Sequence, residues 1–149
     1  MSSGAATDPV IALERGLGCL QAGRFEAAVA ELTRVIALQP GNPQAANSRG
    51  LALFQLQRFA EAAADWSRVI ALRPGHAGAL NNRGLALSAL GRHEEAIASY
   101  QAAMAAAPDK TAAYCNSGNA LRALQRFDEA LLRYDAAIAI DPPFVPRPG

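Results

Sequence analysis

Apolar residues recur along this chain at steps of four and then three. Ala28, Leu32 and Val35 are followed by Ala62, Trp66 and Val69, then by Ala96, Tyr100 and Ala103, and then by Ala130, Tyr134 and Ala137. Such spacing puts each set on one face of a helix, where the small residue lets a neighbouring helix approach and the large one fills the space beyond. Acidic residues open each of these helices: Glu26, Glu61, Glu94 with Glu95, and Asp128 with Glu129. They suit the positive end of the helix dipole. The helices close at Pro40, Pro74, Pro108 and Pro142, which cannot continue a helix interior. Ahead of each lies another predicted helix of about fourteen residues, starting near Pro9, Pro43, Ala77 or Thr111. Asp8 and Asn42 are good caps for the first two, each followed by proline in the first turn. A short turn containing Gly23, Gln57, Gly91 or Gln125 joins the two helices of each unit.

The unit has a fixed length. The four closing prolines are spaced by 34, as are Gly16, Gly50, Gly84 and Gly118, and as are Ala28, Ala62, Ala96 and Ala130. Short words recur at the same step: RVIALQPG at 34–41 becomes RVIALRPG at 68–75, and SRGLAL at 48–53 becomes NRGLAL at 82–87. Four copies are read at 9–42, 43–76, 77–110 and 111–142, between an N-terminal tail, 1–8, and a proline-rich C-terminal tail, 143–149. A glycine inside a helix costs ~1 kcal/mol relative to alanine. Its return in every first helix therefore predicts close contact between the paired helices.

This unit resembles the tetratricopeptide repeat, a helix-turn-helix module of 34 residues with a signature of large residue, leucine, glycine and tyrosine, then alanine, an aromatic and proline. The glycine, alanine and proline slots match in all four copies, and the later aromatic slot holds Leu32, Trp66, Tyr100 and Tyr134. Departures lie in the first helices. The large slot holds Ala12, Ala46, Leu80 and Tyr114, the leucine slot Arg15, Arg49, Arg83 and Ser117, and the tyrosine slot Cys19, Leu53, Leu87 and Leu121. The resemblance implies an all-α fold, a right-handed α-solenoid whose stacked repeats form an α-α superhelix with a concave groove. It also implies that the first helices line that groove and hold an extended peptide or a partner segment there.

On the side of the first helices opposite the shared core, the pattern presents Leu13, Leu17 and Leu20, then Asn47, Ser48, Leu51 and Phe54. It continues with Asn81, Asn82, Leu85 and Ser88, and ends with Cys115, Asn116, Asn119 and Arg122. Asparagine amides both donate and accept, so a row of them can satisfy successive peptide groups of a bound chain. Asn82 and Asn116 occupy equivalent slots, with Ser48 as their counterpart one copy earlier and Glu14 breaking the row. The row is similar to the asparagine ladder of tetratricopeptide-containing glycosyltransferases, which implies grip on a peptide backbone. Leu17, Leu51, Leu85 and Phe54 would add an apolar strip that sets affinity, or belong to the core between repeats. The lysine clamp by which some family members hold a terminal carboxylate is missing, since Lys110 is the single lysine and lies in a loop. Arg15, Arg49 and Arg83, each beside a repeat glycine, are read as pairing across the two helices.

Composition narrows the function further. Of 149 residues, 14 are Lys or Arg and 13 are Asp or Glu, for a net charge of +1, which is not the charge of a polyanion binder. Alanine, the best helix former, accounts for 35 residues. Nucleic acid is not an expected partner, because the aromatics fall on the core face rather than among arginines on an open surface. Cys19 and Cys115 are too far apart for a zinc site or a disulfide framework, so no metal and no cofactor is expected. No catalytic residue is assigned: His76 reads as a loop residue, His93 as a half-buried helix-start residue replacing Phe25, Phe59 and Phe127, and the glycines never cluster into a phosphate loop. A signal peptide and a membrane span are both absent from the pattern, so a soluble cytoplasmic protein is expected.

The leading expectation is a non-catalytic adaptor that binds a protein or peptide partner in its groove through Asn47, Ser48, Leu51, Phe54, Asn81, Asn82, Leu85, Asn116, Asn119 and Arg122. One alternative is the N-terminal targeting module of a larger enzyme such as a repeat-containing glycosyltransferase. Another is a scaffold that self-associates through an uncovered fourth repeat, since the ending DPPFVPRPG, with four prolines in nine residues, cannot form a capping helix.

Overall fold

The computed structural model describes residues 8–143 together with 146 and 148, and most of both expected tails (1–7 and 144, 145, 147 and 149) lies outside the described residues. Among those described there are eight helices and no strand: α1 Pro9–Gln21, α2 Phe25–Leu38, α3 Pro43–Gln55, α4 Phe59–Leu72, α5 Ala77–Ala89, α6 His93–Ala106, α7 Thr111–Ala123 and α8 Phe127–Ile140. First helices begin as expected at Pro9, Pro43, Ala77 and Thr111. Asp8 accepts a hydrogen bond from the Val10 amide at 2.9 Å, and Asn42 from the Ala45 amide at 3.1 Å. His76, expected as a plain loop residue, caps α5 in the same way, its Nδ1 accepting from the Ala79 amide at 3.0 Å.

The turn inside each pair requires one residue in the left-handed region. Gly23 and Gly91 take it at φ of 74° and 77°, while Gln57 and Gln125 take it at 61°. Glycine adopts this conformation freely and glutamine does not, so two of the four turns are held against a local cost by the packing around them.

Helices pack as α1 with α2, α3 with α4, α5 with α6 and α7 with α8, and each pair stacks on the next through α2 with α3, α4 with α5 and α6 with α7. Each pair thus touches its sequence neighbours only, which makes the molecule an extended stack, a right-handed α-solenoid. Every residue of the recurring apolar sets is buried except Tyr134, which is half-buried. Within each pair the recurrent glycine faces the large residue of the second helix. A Cβ on Gly16 would stand 2.7 Å from Leu32, on Gly50 3.0 Å from Trp66 and on Gly118 2.6 Å from Tyr134, while on Gly84 it would overlap the Tyr100 ring outright.

Beside these glycines the arginine row bridges the two helices in the middle pairs. Arg49 binds Asp65 through two parallel hydrogen bonds, Nε to Oδ2 and Nη2 to Oδ1, both 2.7 Å. The Asp65 bond holds the Arg49 guanidinium above its ordinary pKa, against the opposing effect of partial burial. Arg83 donates from Nε to the Ser99 hydroxyl at 3.1 Å. Arg15, by contrast, is exposed and makes no side-chain hydrogen bond among the described residues.

The last helix keeps an apolar face open. Leu131 and Ile138 are 58% and 52% exposed, whereas their counterparts one pair earlier, Ile97 and Met104, are covered by the following pair.

Two alanine substitutions separate the packing role of glycine from its helix propensity. Gly84→Ala should destabilise the chain by about 1 to 3 kcal/mol through collision with Tyr100. Gly18→Ala, in the same type of helix but with nothing within 4 Å of the added Cβ, should stabilise it by up to ~1 kcal/mol. Urea unfolding of both variants measures the opposite signs; equal signs would show that the glycine-to-ring approach does not set the pairing.

Candidate functional site

Residues three and four apart on a helix lie one above the other, so each first helix carries one outward stripe. On α3 that stripe is Asn47, Ser48, Leu51 and Phe54, on α5 Asn81, Asn82, Leu85 and Ser88, and on α7 Cys115, Asn116, Asn119 and Arg122. Because α5 packs along α7, the last two stripes lie side by side.

On α3 the stripe is drawn largely into the framework. The Asn47 Oδ1 accepts a hydrogen bond from the Trp66 indole at 3.1 Å, which satisfies the N–H of a side chain only 1% exposed. Ser48 is buried, a departure from the expectation that it stands in an open row with Asn82 and Asn116. Leu51 and Phe54 are half-buried against the core; the Phe54 ring meets Phe59 edge-on at 5.1 Å and lies 6.0 Å from Trp66. These two side chains therefore contribute to packing whatever else they touch.

The α5 and α7 stripes are more open. Asn116 donates from Nδ2 to the Asn81 Oδ1 at 3.0 Å, tying the two helices together through a pair of amides in different slots. Asn82 is half-buried and has no side-chain hydrogen bond among the described residues. The Tyr134 hydroxyl donates to the Asn119 Oδ1 at 2.6 Å. Arg122 and Cys115 are exposed, and Cys19 is half-buried; both cysteines are free.

Between these stripes lies a hollow of about 160 Å³, lined by Leu85, Ser88, His93, Tyr100, Asn116 and Asn119. The structure thus brings together three of the expected groove residues, Leu85, Asn116 and Asn119. It adds His93 and Tyr100, which sequence reasoning assigned to a helix start and to the core. Ser88 and the Tyr100 hydroxyl are 3.2 Å apart. Burial pushes the Tyr100 phenol above its ordinary pKa, and the hydrogen bond with Ser88 partly offsets this. The His93 Nδ1 is buried without a hydrogen-bond partner. The one sequence signal for this position was that His93 replaces the phenylalanine of its sister copies. A second hollow, about 300 Å³ and walled mostly by alanine, opens between the starts of α5 and α7 with Asn81 and Lys110 at its edge.

Chemically this surface offers amides, hydroxyls, one imidazole and apolar side chains. Among the described residues no group of three or more His, Cys, Asp and Glu could hold a metal ion, and no helix is long and apolar enough to cross a membrane.

The tetratricopeptide repeat family model matches residues 13–77, 55–111 and 81–143. No curated protein matches the chain. Among solved structures, a crystal structure of MamA superposes with a TM-score of 0.90 at 24% identity, covering 94% of this chain and 82% of that one. MamA MSR-1 gives 0.83 at 27% identity over 90% and 77% of the two chains. MamA from Desulfovibrio magneticus RS-1 gives 0.88 at 20% identity over 94% and 79%.

Proposed function

Because this chain belongs to the tetratricopeptide repeat family, whose fold is that of a protein-interaction scaffold, we propose that it is a non-catalytic adaptor. It holds an extended segment of a protein partner along the open stripes of α5 and α7. The observation that carries this reading is the hollow in which the apolar wall of Leu85 stands beside the amides of Asn116 and Asn119 and an unpartnered His93 nitrogen. A bound chain needs both kinds of contact. Burying one leucine-sized side chain contributes ~1.5 to 3 kcal/mol, and a net hydrogen bond about 1. Apolar contacts then supply affinity while the amides align the backbone. Asn82, with no side-chain hydrogen bond among the described residues, can turn its amide to a bound peptide, and Asn116 keeps an acceptor oxygen beyond its bond to Asn81. Asn47, Ser48, Leu51 and Phe54 extend the surface chiefly as its packed edge, and Arg122 gives the far end a positive charge.

Peptides selected from a random display library against the whole chain test this reading. The double variant Asn82→Ala with Asn116→Ala should weaken the selected peptides about tenfold or more, equivalent to at least 1.4 kcal/mol, with helical content nearly unchanged. Undiminished affinity in that variant would remove the amide stripes from the binding surface.

The exposed face of α8 favours a second reading, self-association. Phe127, Leu131 and Ile138, four and seven residues apart and so on one stripe of the helix, are all more than half exposed there, as is Leu132 beside them, an apolar surface of the kind that another molecule covers. In sedimentation, apparent mass should rise with concentration for the native chain and stay at the monomer value for Leu131→Glu with Ile138→Glu. A native chain that remains monomeric over the accessible range would exclude this reading.

A further inference from the structure

On the side away from the amide stripes, successive second helices leave hollows between them. One, about 240 Å³, lies between α2 and α4 over α3; the other, about 550 Å³, lies between α4 and α6 over α5. They are the same place one 34-residue step apart, with Arg49 and Arg58 in the first corresponding to Arg83 and Arg92 in the second.

In the first hollow the guanidinium groups of Arg49 and Arg58 are matched within the chain, while Arg68, which also lines it, makes no ion pair among the described residues. Arg49 is held by Asp65 at 2.7 Å, and Arg58 by Glu61 at 2.8 Å with Glu26 at 3.9 Å. The equivalent Arg126, two steps on from Arg58, is likewise matched by Glu129 at 2.6 Å and Glu94 at 3.5 Å. In the second hollow part of this matching is lost, since Glu95 keeps the slot of Glu61 but forms no ion pair with Arg92 among the described residues. Ser99 stands where Asp65 stood, Ala60 where Glu26 stood and Ala63 where Val29 stood. These three truncations remove two carboxylates, Ala102 in the slot of Arg68 removes one guanidinium, and the space is larger.

What remains is Arg83 without the carboxylate that Arg49 has, and Arg92 without an ion pair. Arg83 reaches two neutral hydroxyls, Ser99 at 3.1 Å and Ser67 at 3.4 Å. Ser99 gives its own proton to the Leu80 carbonyl at 2.7 Å, so toward Arg83 it is an acceptor only. The Arg83 Nη2, whose counterpart in Arg49 binds Asp65, has no partner among the described residues, and Arg92 makes no ion pair there. Glu95 is the one carboxylate lining the hollow and faces two guanidinium groups.

We propose that this hollow is a binding site for a phosphoryl group, separate from the peptide surface on α5 and α7. A phosphoryl group carries close to two negative charges and three acceptor oxygens, enough to engage Arg83, Arg92 and the Ser67 hydroxyl together. A carboxylate has charge for one guanidinium, as Asp65 shows at Arg49. The group arrives as free phosphate or on a phosphorylated side chain of a partner peptide.

Calorimetric titration of the whole chain with inorganic phosphate and, separately, with a phosphoserine peptide distinguishes the two sources. Binding of phosphate alone identifies the free anion, and binding of the peptide alone a peptide-borne group. Ser99→Asp, which rebuilds the internal partner of the sister hollow, should weaken binding about tenfold or more while leaving the melting temperature unchanged or raised. Arg92→Gln, an exposed substitution, should weaken it as well, and Arg58→Gln in the matched hollow should not. The proposal is overturned if neither probe binds, if Ser99→Asp binds as the native chain does, or if a glutamate peptide binds as tightly as the phosphoserine peptide.

Discussion

The close approach of a glycine in each first helix to a large side chain in each second helix fixes the geometry on which everything else rests. At Gly50 and Gly84 the Trp66 and Tyr100 rings occupy the space a Cβ would need, so the helix separation is set by ring against backbone. A glycine in a helix is intrinsically unfavourable, and it is tolerated here because the ring it admits is almost wholly buried. The same contact sets rotation. With the glycine inward, Arg49 and Arg83, one residue earlier, reach the residue preceding the ring, Asp65 or Ser99, and the outer stripe of the helix turns away from the core.

Because this constraint recurs at constant register, equivalent positions can be compared within one chain. The small buried slot does not change, as the run Ala28, Ala62, Ala96 and Ala130 shows, and the large one stays large through Leu32, Trp66, Tyr100 and Tyr134. The slots beside the core change character at each step. Leu17, Leu51 and Leu85 are followed by Asn119, and the sequence Glu31, Asp65, Ser99 and Arg133 runs from negative through neutral to positive. A constant frame with varied borders gives each junction its own chemistry: an ion pair at one, an open pair of arginines at the next, and linked amides on the other side of the stack.

Much of this was legible in the sequence for physical reasons. Helix starts, the turn between paired helices and the core set follow from periodicity, capping chemistry and proline, whereas the left-handed backbone at Gln57 and Gln125 does not. The direction of individual polar side chains was not legible, because it depends on what the neighbouring helix requires. Asn47 turns to Trp66 because a buried indole N–H needs an acceptor. Ser48 is small enough to be covered, while the amides at the same slot in α5 and α7 remain half-open. His76 reads from the sequence as a loop residue, yet its Nδ1 lone pair fills at α5 the role that the Asn42 oxygen fills at α3. His93 and Tyr100 were assigned by their slot in the repeat, which fixes the backbone and leaves open what their polar atoms face.

The two ends of the stack are built differently from its middle. In the second pair the arginine and its partner are joined by two short hydrogen bonds, and in the third by an arginine-to-serine bond. In the first pair Arg15 is exposed and the Glu31 Oε2 is buried without a hydrogen-bond partner, with Arg34 only as near as 3.9 Å. In the fourth the order is reversed: Ser117 stands in the first helix, its hydroxyl buried and unpartnered, with Arg133 opposite. A buried polar atom left without a partner costs about 1 to 3 kcal/mol. In a stack where each pair contacts only its neighbours, that cost is not shared across the molecule. Cross-helix polar bonding is therefore concentrated in the second and third pairs, the ones that frame the open arginine hollow, while the apolar face of α8 adds an uncovered surface to an end already weaker in polar contacts.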